Sequence, residues 1–99
     1  MAETVALEAL AGSPHAKLFD EPLVIRLDLA AGERVDPHRH PERTVVLHLL
    51  SGAVALDLDD ETHELQPDDV IRFDGRREVS PKAVEDSEAL LVLSKRVED

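Results

Sequence analysis

Leu23, Ile25, Leu27 and Leu29 alternate with Val24, Arg26 and Asp28, and Val54, Leu56 and Leu58 alternate with Ala55, Asp57 and Asp59. A period of two sends successive side chains to opposite faces, so both stretches predict half-buried β-strands. Residues 44–50 are almost continuously apolar and β-branched at their start, which predicts a strand buried on both faces. Residues 70–73 and 89–94 supply two more short strands, and residues 4–10 fit either a short helix or a first strand. Between them stand turn signals, among them Gly12-Ser13-Pro14, Asp59-Asp60, Pro67-Asp68-Asp69, Asp74-Gly75 and Ser80-Pro81. Several short strands with no stretch long enough for a crossover helix predict one all-β antiparallel sandwich or barrel spanning the 99 residues.

Composition narrows the chemistry. Cysteine is absent, which removes disulfides, thiolate metal sites and cysteine nucleophiles, so any metal must be held by His, Asp or Glu. Twenty-two acidic residues against eleven basic ones give a net charge of −11, which repels phosphate backbones and anionic lipid; neither nucleic acid nor membrane is expected as a partner. No apolar run approaches the roughly 20 residues that span a bilayer, and Met1-Ala2-Glu3-Thr4 lacks a basic secretory start, so a cytoplasmic location is expected. The acidic excess and the preference for Arg over Lys (Lys17, Lys82 and Lys95 only) resemble proteins of salt-loving organisms, in which concentrated salt screens self-repulsion. An ordinary solvated acidic surface is the alternative.

One segment stands apart: Gly32-Glu33-Arg34-Val35-Asp36-Pro37-His38-Arg39-His40-Pro41-Glu42. In an extended chain residues two apart share a face, so His38 and His40 can present two imidazoles to one point, a chelating arrangement. A pair of exposed histidines at a strand edge is the plainer reading. Four scattered glycines build no phosphate loop, and no serine lies in a nucleophile-elbow context.

The spacing of Gly32, His38, His40 and Gly52, with Pro37 and Pro41 flanking the histidines, resembles the first signature of the cupin family. Leu65-Gln66-Pro67-Asp68-Asp69-Val70-Ile71-Arg72-Phe73-Asp74-Gly75 is similar to the second, with Asp68 where the family has a glycine and Phe73 where it has a proline. The resemblance covers residues 22–94 and implies the cupin double-stranded β-helix, an antiparallel jelly-roll barrel. Two departures bear on activity. Val45 stands where the family carries a metal-binding glutamate, and Glu78 stands where it carries a last histidine.

The resemblance therefore implies a divalent metal (Fe, Mn, Ni or Zn) held in the barrel by His38, His40 and Glu78, a two-histidine, one-carboxylate set with open positions for a small metabolite. Its alternative is a metal-free cupin, a non-catalytic small-molecule-binding or structural module with Val45, Leu47, Leu49 and Leu56 lining the pocket and Glu78 paired to Arg76 or Arg72. Glu42, two residues beyond His40, is a further candidate carboxylate, more readily read as a solvated loop acid. His48 falls on the face of its strand opposite Val45, Leu47 and Leu49 and is expected at a sheet or subunit interface; His15 and His63 are expected to be exposed. A homodimer through outer strands is what the resemblance implies for assembly.

Overall fold

The computed structural model describes residues 2–96. A single 3-10 turn, Leu7–Ala9, precedes eight strands: His15–Asp20 (β1), Leu23–Leu29 (β2), Arg43–Ser51 (β3), Val54–Leu58 (β4), Glu61–Leu65 (β5), Val70–Asp74 (β6), Val79–Ala83 (β7) and Ser87–Lys95 (β8). They form two antiparallel sheets, one in the order β1-β2-β8-β3-β6 and one in the order β5-β4-β7. The all-β antiparallel jelly roll expected from the sequence is the observed architecture.

The period-two pattern decides which faces meet. Leu27 and Leu29 of β2, Val45, Leu47 and Leu49 of β3, and Leu93 of β8 pack against Val54, Leu56 and Leu58 of β4, with Phe73 and Val79 closing the ends. Leu47, Leu49, Leu56, Leu58, Leu93 and Val45 are the largest fully buried side chains, each contributing about 1.5–3 kcal/mol relative to exposure. The β3 expectation is corrected in one respect: it is buried on one face only. Val46, His48 and Leu50 on the other face are half-buried. The amino-terminal segment is fixed at β2, where the buried Arg26 guanidinium donates to the Leu7 and Gly12 carbonyls at 2.9 and 3.0 Å.

Residues 4–10 hold only the three-residue turn. Ser80-Pro81, expected as a turn, lies inside β7, and the Ser80 hydroxyl donates to Val35 O at 2.7 Å beside the place where Pro81 has no N–H to give. Asp68 adopts φ +71°, the left-handed conformation that its family counterpart meets with glycine; a short acidic side chain tolerates it, and the Asp68 carboxylate lies 3.2 Å from His48 Nε2.

Candidate functional site

Residues between β2 and β3 cross from one sheet to the other along β7. Gly32 N–H donates to Ala83 O, Val35 N–H to Pro81 O and His38 N–H to Val79 O, at 2.9, 2.9 and 3.1 Å, and Val79 N–H returns a bond of 2.9 Å to His38 O. Pro37 and Pro41 carry no N–H, so they interrupt the ladder at fixed places without leaving donors orphaned. The register pairs His38 with Val79 and so gives both the same face, which is the interior. His40 N–H donates to Gly75 O at 2.7 Å.

Gly75 has a positional role. A Cβ there would lie 2.1 Å from His40 O and 2.5 Å from Arg43 O, so only glycine lets the β6–β7 turn close on the histidine segment. The second signature thus presses on the first, and His40 is held where the two meet.

His38 and His40 stand edge to face, with ring centroids 4.8 Å apart and planes at 87°. Both are half-buried and line a cavity of about 90 Å³ between the sheets, whose apolar walls include Val45, Leu47, Leu56, Phe73 and Val79. His38 Nδ1 lies 2.8 Å from Asp36 O; a carbonyl accepts only, so Nδ1 carries a proton and donates it there. Burial holds the His40 imidazole below its usual pKa, and the neighbouring His38, Arg43 and His15 add to that effect.

A third imidazole belongs to the same cavity. His15, the first residue of β1, pairs with Leu27 and therefore points inward, and it lines the cavity beside the other two histidines. Its pKa is lowered first by burial and then by His38. His15 is exposed, as expected, and its side chain also lines the cavity. The sequence signal for it is thin, a lone histidine just after Pro14 in a strand with no clean alternation.

Glu78 is not brought to these rings. Val79 takes the inward position, strand alternation turns Glu78 away, and its half-exposed carboxylate lies 3.9 Å from an Arg39 guanidinium nitrogen on the surface. Glu42 is exposed, bordering an outer cleft with Arg43, Lys95 and Arg96 instead of the cavity. Leu49 is fully buried yet does not line the cavity, whereas Val45, Leu47 and Leu56 do, as expected. His63 sits half-buried on β5, and His48 faces outward on β3.

A resident metal of the kind the family resemblance implies does not fit these donors. Glu78 points away from the two rings, Val45 fills the place of a glutamate with methyl groups, and among the described residues no set of three or more His, Cys, Asp or Glu is arranged to hold an ion. What the arrangement provides is a small apolar chamber with three imidazoles at its mouth.

Among the described residues no helix is long and apolar enough to cross a membrane. A family model described as a cupin domain matches residues 25–94. Three solved structures are similar in fold. KdgF from Halomonas sp. is 20% identical over 87% of this chain and 84% of its own, with a TM-score of 0.73. An RmlC-like cupin from Shewanella frigidimarina is 13% identical over 100% and 96%, with a TM-score of 0.79. TT1209 from Thermus thermophilus is 23% identical over 97% and 100%, with a TM-score of 0.76. At these identities the likeness shows the fold alone, and no protein of curated function matches the sequence. Because that family model matches residues 25–94, most of the sequence, this chain belongs to the cupin family.

Proposed function

We propose that this chain is a cupin that binds a small metabolite inside the barrel without a resident metal. The observation that carries this reading is the cavity itself: apolar walls ending in His15, His38 and His40, with no acidic residue in the lining. A chamber of about 90 Å³ is smaller than the roughly 150 Å³ apolar cavity that accepts benzene, so the occupant is small. The test is a methyl and imidazole NMR screen of small metabolites against the chelator-treated protein. Shifts concentrated on Val45, Leu47 and Leu56 and on the three histidine rings support the reading; a screen in which no compound perturbs those groups overturns it.

A second reading keeps the metal, held by His38, His40 and Glu78, and one observation favours it. The Nδ1–H of His38 bonded to the Asp36 carbonyl is the contact that commonly orients a metal-binding histidine and leaves Nε2 facing the ion. It requires the Glu78 carboxylate to leave Arg39 and turn inward.

For assembly we propose a homodimer through the outer face of the larger sheet. Val46 and His48 of β3 pair with Arg72 and Val70 of β6 and with Val92 and Leu90 of β8, which makes a continuous outward patch. Val70 is 60% exposed. None of these six residues is acidic in a chain of net charge −11, so this is a surface where two copies meet with least repulsion.

A further inference from the structure

We infer that the occupant is a short aliphatic monocarboxylic acid, its tail of about three carbons in the apolar chamber and its carboxyl group among His15, His38 and His40 at the mouth. The inference rests on the reading of a metal-free metabolite site and names its ligand class.

The chamber is divided by chemistry. Its inner walls, from Leu47, Leu56, Phe73 and Leu93, offer no hydrogen-bonding side chain, so the buried part of the ligand must be hydrocarbon; a hydroxyl or amide placed there would lose its bonds to water without replacement. The mouth is the reverse. Three imidazoles from two separate parts of the chain, β1 and the segment between β2 and β3, line it, and every other lining residue is apolar. An ammonium head finds no carboxylate in the lining to pair with. A hydroxyl has one proton and one oxygen, too few to satisfy three rings, whereas a carboxyl group offers two oxygens with about four lone-pair sites.

The Asp36 carbonyl takes the Nδ1–H of His38 and fixes that ring, and the oxygens of the carboxylate accept N–H bonds from the rings of His15 and His40. His15 is the distinguishing member: it lies outside both family signatures and adds a donor from a different strand.

The experiment is an NMR titration of the chelator-treated full chain with butyrate, 1-butanol, butylamine and hexanoate, following the Val45, Leu47 and Leu56 methyls, repeated for His15→Ala and His15→Gln. Butyrate is expected to bind most tightly of the four, and His15→Ala to weaken it about tenfold, the loss of one charge-assisted hydrogen bond. His15→Gln, which restores a side-chain N–H, is expected to recover part of that loss. Equal binding of butanol or butylamine, or tighter binding of hexanoate, overturns the ligand class while leaving a small-molecule site intact. Butyrate binding unchanged in both His15 variants overturns the role of His15. If the wider metabolite screen also leaves the cavity methyls unmoved, the metabolite-binding reading falls with it.

Discussion

The carbonyl oxygen of His40 sits against Gly75 so closely that a Cβ on Gly75 would lie 2.1 Å from it. The turn after β6 and the segment bearing the histidines are therefore one packed unit, and the position of the His40 ring depends on a residue 35 places further on.

Gly75→Ala tests that unit. Two backbone carbonyls, those of His40 and Arg43, block the added methyl, so the histidine segment must shift. The expected outcome is a loss of about 1–3 kcal/mol in denaturant unfolding, with an altered His40 imidazole resonance. Unchanged stability and an unmoved resonance would show that the two segments are not coupled.

Leu47 is 1% exposed and belongs to both the core and the cavity wall. Leu47→Ala is expected to cost about 2–5 kcal/mol, as for other buried leucines, while enlarging the chamber. Chemical denaturation gives the cost, and a shift in ligand preference towards longer tails checks the enlargement.

Acid stability follows from three surface carboxylates. Asp57 is held below its usual 3.8 by hydrogen bonds from Thr62 and Arg34, Asp59 by Arg77 and the Glu78 N–H, and Asp74 by Arg76 and Arg96. A carboxylate with a lowered native pKa contributes stability that is complete above the unfolded value and is lost as pH falls through the native one. The melting temperature should therefore fall as pH drops below 3.8. Arg77→Gln, which removes one such partner of Asp59, should make that fall shallower. A wild-type melting temperature flat from about pH 5 to about pH 2 would contradict this.

Salt should act on assembly and stability together. A chain of net charge −11 gains from screening, so multimolar KCl is expected to raise the melting temperature and to favour the dimer over the monomer in sedimentation velocity. Val92→Glu, on the outer patch, is expected to yield monomer at every salt concentration. Wild-type monomer throughout, with stability indifferent to salt, would remove both the dimer and the halophilic proposal.

Most of the fold was legible in the sequence because its central strands are amphipathic. β2 and β4 alternate cleanly, and β3 announces itself by its run of apolar residues. β1 and β5 escaped because edge strands need bury only part of one face, Thr62 and Glu64 being exposed; β7 escaped because its Ser80-Pro81 pair reads as a turn although most of the strand is buried. In the site, His38 and His40 were readable because their spacing of two matches a local rule. His15 and Glu78 depend instead on long-range register, the pairing of His15 with Leu27 and the inward turn of Val79, which no local pattern encodes.

Metal retention tests the central claim most directly. The protein should be purified without chelator, loaded in turn with Zn²⁺, Ni²⁺, Mn²⁺ and anaerobic Fe²⁺, desalted and measured for metal content beside the His38→Ala/His40→Ala variant. The account predicts substoichiometric metal in both proteins and no metal-dependent rise in melting temperature. One equivalent retained by the wild type and lost in the double variant would contradict it.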